Sequence, residues 1–199
     1  MDWLPQYPRK ESPNRYSAGS SNCRPIELLV LHYTAGYSGK SSVGWLTNPS
    51  AKASAHFVVD RDGSVTQLVS LKDRSWHAGG STSRWRGMGP NPISWGIEIA
   101  NLGPLKAESG RLWDAYGKRY DGPTFVDSTG RHWEPYPETQ IAAVARLVAE
   151  LVALEPKLLV NDGPGLPRIC GHQDVDPSRK LDPGPAFPWE RVAPGVKRG

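Results

Sequence analysis

Residues 171–184 read GHQDVDPSRKLDPG, a stretch rich in Pro and Gly in which Lys180 and Asp182 follow His172 by eight and ten positions. That spacing suits no single helix face, but it suits a rigid loop that brings polar side chains to one point. Two other polar residues interrupt apolar runs: His32 near the end of PIELLVLHYT (25–34) and Glu98 within SWGIEIAN (94–101). Zinc hydrolases use three protein ligands and leave a fourth position to water, and His and Asp are suitable ligands. The metal acidifies that water and polarises the carbonyl it attacks. A nearby carboxylate can take the water's proton, and a cation can hold the developing oxyanion. On this reading His32, His172 and Asp182 bind one Zn2+, Glu98 is the base and Lys180 supplies the cation. Spacing alone leaves a blander reading open. A His at a strand end is more often hydrogen-bonded within a core, and an Asp before Pro more often starts a turn.

Several elements must position these residues. PIELLVLHYT is almost continuously apolar, which predicts a strand buried on both faces of a covered sheet. SVGWLTNP (42–49) predicts one or two helical turns stopped before Pro49. SAHFVVDRDGSVTQLVSL (54–71) predicts a hairpin turning at Asp62-Gly63. A long loop follows over 72–92, a length that is usually functional. In SWGIEIAN, alternation places Trp95, Ile97 and Ile99 on one face and Gly96, Glu98 and Ala100 on the other. Residues 102–137 are read as an irregular insert containing Trp113, Tyr116, Tyr120 and Trp133. ETQIAAVARLVAELVALEP (138–156) carries Ile141, Val144, Val148 and Leu151 at helical spacing and ends at Pro156. RICGH (168–172) is a last short strand ending in His172. The order predicts a single α/β domain, with a central mixed sheet flanked by helices. An irregular arm (1–24) would precede the domain proper (25–192), and a short tail (193–199) would follow it.

The chain has 199 residues, a net charge of +4 and two cysteines. No Lys/Arg block is long enough to suggest a nucleic-acid partner, and no apolar run approaches the ~18 residues of a membrane span. The N-terminus shows no apolar signal-peptide core. The expectation is a monomer made in the cytoplasm. It would act there on soluble fragments or reach the periplasm or wall by another route. Cys23 lies nine positions before His32 and Cys170 two before His172. If both strands run parallel into one site, the thiols are too far apart to pair. Two free thiols are expected, with Cys170 a small buried hydrophobe.

Five segments in order, LLVLHYTAG, SAHFVVDRDGSVTQLV, DRSWHAG, PISWGIEIAN and ICGHQDVDPSRKLDPGPAFPW, resemble the successive motifs of the type-2 zinc N-acetylmuramoyl-L-alanine amidases. The resemblance runs from about residue 25 to 189, and its last motif, HxxxxPxRKxDPGPAF, is very specific. That family includes bacterial cell-wall recycling amidases, phage lysis amidases and animal peptidoglycan recognition proteins. It cleaves the amide between N-acetylmuramic acid and the L-Ala of the stem peptide. The resemblance implies His32, His172 and Asp182 as ligands of one Zn2+, with Glu98 and Lys180 as catalytic residues. It further implies that Trp76 and His77 line the substrate groove and that Arg74 and Asn91 contact stem-peptide polar groups. His56 is read as structural, and His132 is given no role. The expected partner is peptidoglycan or a muropeptide. The aromatic insert 102–137 reads either as a wall extending the groove or as a packed surface flap; as a wall it favours the wall polymer over soluble recycling fragments, as in phage-type lysis or remodelling. Two other readings stand beside hydrolysis: a peptidoglycan-binding module that has lost catalysis, and a regulator of another protein. The presence of Asp182, Glu98 and Lys180 argues against the first, and nothing in the sequence points to the second.

Overall fold

A computed structural model describes residues 2–79, 89–160 and 167–194. The loop expected over 72–92 and the tail over 193–199 therefore fall in part outside the described residues.

The arm is not loose. Leu4 is buried in the main core, and Lys10 and Ser12 donate backbone N–H groups to the carbonyls of Gln67 and Leu68 at 2.9 and 2.8 Å. Strand β1 (Arg15–Tyr16) then pairs with β5 (Arg74–Ser75). The arm has no hydrophobic period of its own because backbone groups and a few anchors hold it.

The central sheet has five strands in the order β12-β2-β6-β3-β4. They are β2 (Leu28–Tyr33), β3 (Phe57–Val59), β4 (Val65–Gln67), β6 (Ser94–Ile99) and β12 (Ile169–Gly171). All contacts are parallel except the β3–β4 hairpin, where Gly63 at φ +85° makes the turn. Strand β2 lies between β12 and β6, and Leu28 to Leu31 are at most 1% exposed, as a continuous apolar run predicts. At roughly 1.5–3 kcal/mol per buried aliphatic side chain, such a strand anchors the fold.

The two faces of the sheet differ. Leu29, Leu31, Phe57, Val59, Trp95, Ile97 and Ile99 join one core with Ile141, Val144, Leu147, Val148 and Leu151 of the long helix α2 (Glu138–Leu154). The opposite face carries Leu28, Val30 and Cys170, and along the same alternation His32, Ser94, Gly96 and Glu98. There helix α1 (Gly39–Leu46), capped by the Ser38 side chain, packs through Leu46 against Val58 and Leu68. Cys23 and Cys170 are both free, and Cys170 is fully buried.

The irregular reading of 102–137 is corrected. The segment forms a second five-stranded antiparallel sheet, in the order β10-β11-β7-β8-β9. Its strands are β7 (Pro104–Glu108), β8 (Arg111–Trp113), β9 (Arg119–Tyr120), β10 (Phe125–Val126) and β11 (His132–Trp133). Its turns are built by Asp side chains and glycines. Asp114 accepts the N–H groups of Tyr116 and Lys118 at 2.8 and 2.9 Å. Asp127 accepts those of Thr129 and Arg131 at 2.8 and 3.1 Å. A bidentate Arg61–Glu134 pair (2.7 and 2.6 Å) ties this sheet to the β3–β4 turn.

Candidate active site

The strand register builds the site. His32 on β2 is paired with Glu98 on β6, and Leu31 with Gly171 on β12. His172 is thus the next residue beside His32. It opens the short helix α3 (His172–Val175) rather than ending the strand. The chain then turns back, and Gln173 N–H donates to the Asp182 carbonyl at 3.0 Å. This closes the loop and returns Asp182 to the same point. Gly171 allows the close approach, since a Cβ there would stand 2.5 Å from Pro183 Cδ.

The result is a tight triangle of donor atoms. His32 Nδ1 lies 3.0 Å from His172 Nδ1 and 2.8 Å from a carboxylate oxygen of Asp182, which is 3.1 Å from His172 Nδ1. All three residues are buried. Ligands at about 2.1 Å from a tetrahedral zinc stand about 3.4 Å apart, so the triangle needs to open only a little to hold the ion. The N, N, O set is one that zinc uses in hydrolases.

Electrostatics set the neighbours. Burial would raise the Asp182 carboxyl, but the His172 and His32 rings against it hold it below the usual carboxylate range. Burial lowers His32, against the pull of Asp182. Burial also pushes Glu98 up to about 8, with Asp182 adding to the rise and Lys180 opposing it. The Oε2 of Glu98 is buried without a hydrogen-bond partner among the described residues, a carboxylate oxygen left free beside the donor triangle.

The expected groove residues separate. His77 lies at the site, with Nδ1 2.9 Å from His32 Nε2 and Nε2 2.9 Å from Ser94 Oγ. Arg74 does not. Its guanidinium donates to the carbonyls of Asp73, Lys72, Leu71 and Pro92 at 2.6 to 3.3 Å and to that of Arg24, so it braces loops rather than facing a peptide. Asn91 likewise spends its side-chain oxygen on the N–H groups of His77 and Ala78, at 3.2 and 2.8 Å. It positions the loop that carries His77. Trp76 is half-buried beside the Tyr16 ring, 5.6 Å away. His56 accepts from Gly96 N–H at 3.1 Å and contacts Ser75 Oγ at 2.8 Å, a structural setting in which burial lowers it to about 3. Sequence reasoning missed Ser94, whose small hydroxyl carries no motif signal.

The N-acetylmuramoyl-L-alanine amidase family profile matches residues 22–185. The chain belongs to that family. It is 28% identical to the 1,6-anhydro-N-acetylmuramyl-L-alanine amidase AmpD of Haemophilus influenzae, over 88% of this chain and 85% of that protein. It is 31% identical to the N-acetylmuramoyl-L-alanine amidase AmiD of Escherichia coli, over 84% of this chain but 52% of AmiD. Among solved structures, a selenomethionine AmpD derivative superposes with a TM-score of 0.66 over 98% of this chain and 97% of that one, at 24% identity, which bears on the fold alone. E. coli AmiD in complex with anhydro-N-acetylmuramic acid-L-Ala-D-γ-Glu-L-Lys superposes with a TM-score of 0.62 at 30% identity, over 88% of this chain and 59% of that one. The protein is an N-acetylmuramoyl-L-alanine amidase of the type-2 superfamily, with the mixed α/β fold expected from its sequence.

In this amidase two cavities meet at Thr34, His77, Glu98 and Lys180. One, of about 380 Å³, holds the donor triangle with Tyr33 and Arg179 on its walls. The other, of about 440 Å³, runs between α1 and the second sheet, past Ser41, Ser42, Trp45 and Tyr116. Trp45 and Tyr116 are 59% and 67% exposed, large aromatic faces turned to solvent on a groove wall. Tyr116 is fixed by its hydroxyl, which donates to the Ala35 carbonyl at 2.7 Å, and by the Tyr37 ring 5.9 Å away. The walls of these cavities include His77 but not Arg74, Trp76 or Asn91. No helix among the described residues is long and apolar enough to cross a membrane.

Proposed function

We propose that this amidase is a zinc enzyme in which His32, His172 and Asp182 hold the ion, Glu98 is the general base and Lys180 stabilises the oxyanion. The observation that carries the reading is the buried triangle of His32 Nδ1, His172 Nδ1 and the Asp182 carboxylate, with the unpartnered Glu98 oxygen beside it. Zinc there would supply Lewis acidity, polarising the amide carbonyl and acidifying water. Glu98 accepts the water's proton, and its burial makes it a stronger base than an exposed carboxylate. Lys180, on the wall of both cavities, would hold the carbonyl oxygen as it becomes negative. The bond cut is the amide between N-acetylmuramic acid and L-Ala. A chelator should abolish cleavage and zinc should restore it. Full activity in a metal-free preparation would overturn the zinc assignment.

For the substrate, the groove supports the wall polymer. It continues beyond the reacting centre, and Trp45 and Tyr116 offer aromatic faces that suit sugar rings. The names of the AmpD relatives favour a second reading, in which a soluble 1,6-anhydro-muropeptide is the substrate. Intact sacculi and soluble 1,6-anhydro-muropeptides offered side by side separate the two. A higher kcat/KM on the soluble fragment would reverse the preference. Retention of Asp182, Glu98 and Lys180 in one site speaks against a binding module without catalysis.

A further inference from the structure

The contacts behind His32 form a chain with a fixed direction. Ser94 Oγ lies 2.7 Å from the Pro90 carbonyl oxygen, which can only accept, so the hydroxyl proton is committed there. Ser94 Oγ must then accept from His77 Nε2 at 2.9 Å. Both histidine rings are buried, which disfavours the charged form and leaves one N–H on each ring. With its proton on Nε2, His77 presents a bare Nδ1, which accepts from His32 Nε2 at 2.9 Å. The His32 proton is thereby drawn to Nε2. Its Nδ1 is left as a lone pair aimed at Asp182 and His172.

The alternative is costly for a metal site. With the proton on Nδ1, His32 would donate to the Asp182 carboxylate at 2.8 Å, a charge-assisted bond of the stronger kind. A metal would have to displace that proton before two of its three ligands became free. We propose that Ser94 and His77 are positioning residues that fix the tautomer of His32 and so keep its ligand nitrogen open for zinc. His77, which lines both cavities, thereby gains a role behind the metal ligand beside the groove-lining one that the family resemblance implied. The proposal rests on the zinc reading for its purpose, but the tautomer itself is a property of the metal-free protein.

Strand β6 supplies the support of the device. Ser94, Gly96 and Glu98 alternate onto the same face. Ser94 holds the far nitrogen of the His77 ring, and Gly96 gives the ring its floor. A Cβ at 96 would stand 2.5 Å from His77 Cγ, so no larger residue fits under the relay.

The test measures zinc and the tautomer, not turnover. Loss of an outer hydrogen-bond partner typically weakens metal affinity by about 10–100-fold. Ser94→Ala should show that loss in competition with a chromophoric zinc chelator, while Ser94→Thr, which keeps the hydroxyl, should stay within about threefold of the parent. Nitrogen-15 spectra of the chelated parent should show His32 protonated at Nε2, and Ser94→Ala should shift the proton toward Nδ1. If thermal unfolding shows that Ser94→Ala does not fold, His77→Phe, which keeps a ring but removes the acceptor, serves in its place. A folded Ser94→Ala or His77→Phe with parental zinc affinity would overturn the proposal, as would an Nδ1-protonated His32 in the chelated parent. An inactive parent that still binds zinc tightly in the stated tautomer would sink the catalytic reading and leave the relay standing.

Discussion

His32 and Glu98 are register partners on adjacent parallel strands, and their side chains leave the sheet on the same face. Neighbouring strands lie about 4.8 Å apart, so a ligand nitrogen and a proton acceptor are held side by side by the backbone ladder alone. Because Glu98 is not part of the donor triangle, removing its charge should leave the metal in place. Glu98→Gln is expected to bind zinc like the parent while kcat falls by about 10²–10⁴-fold. Zinc content and single-turnover rates check this. A kcat within about threefold of the parent would move the base elsewhere.

The same burial gives a second expectation, for stability. Glu98 is raised from 4.5 to about 8 in the folded chain, first by burial and then by Asp182. The metal-free folded state therefore holds a proton that the unfolded state releases near the ordinary value. Folding is favoured most below about pH 4.5, and that contribution is lost as pH rises toward 8. Glu98→Gln has no such proton to lose. In chelator, its Tm relative to the parent should rise between pH 5 and 8. A difference that stays flat across that range would show that the carboxyl is not raised.

Arg74 tests which residues the groove uses. Its guanidinium satisfies five backbone carbonyls, of Arg24, Leu71, Lys72, Asp73 and Pro92. Leu71, Pro92 and Asp73 keep other donors in Trp95 Nε1, Arg24 N–H and His56 Nε2, so the loss falls on the Arg24 and Lys72 carbonyls, at about 1–3 kcal/mol for each acceptor left unpaired. Arg74→Ala should therefore lose roughly 3 kcal/mol or more in denaturant unfolding, with KM on muropeptide unchanged below the transition. A raised KM with parental stability would restore the substrate-contacting role.

Much of this was legible because the signals were local and strong. The apolar run around LLVL and the alternation in SWGIEIAN fixed the faces of β2 and β6, and with them His32 and Glu98. The Pro- and Gly-rich segment 171–184 foretold a closed loop, and Gln173 N–H to Asp182 O is the bond that closes it. The second sheet was missed because its strands are two to five residues long and only Leu105 and Trp133 among their residues are buried, so no hydrophobic period accumulates. Its turn chemistry was present, however, in Ser109-Gly110, Asp114 to Gly117 and Asp127 to Gly130. The backbone contacts of Arg74 and Asn91 were not legible for a different reason. A polar side chain in a loop reads the same in sequence whether it faces a ligand or a carbonyl, and only tertiary contacts separate the two.

The second sheet earns its place through Tyr116. The turn between β8 and β9 is held by Asp114, which accepts from Tyr116 N–H and Lys118 N–H and is bonded by the Tyr37 hydroxyl. The Tyr116 ring is thereby carried to the groove wall, where Trp45 of α1 is also exposed. Neither ring touches the donor triangle, so truncation should affect binding rather than the chemical step. An aromatic face is worth about 0.5–1.5 kcal/mol beyond its area, so Tyr116→Ala should raise KM by roughly 2–10-fold with kcat near parental. Tyr116 is mostly exposed, so stability should change little. The effect should be larger on sacculi than on a soluble muropeptide if the groove takes the polymer. Equal KM changes on both substrates would place the ring against a part they share, and an unchanged KM on both would reduce the second sheet to a packed flap.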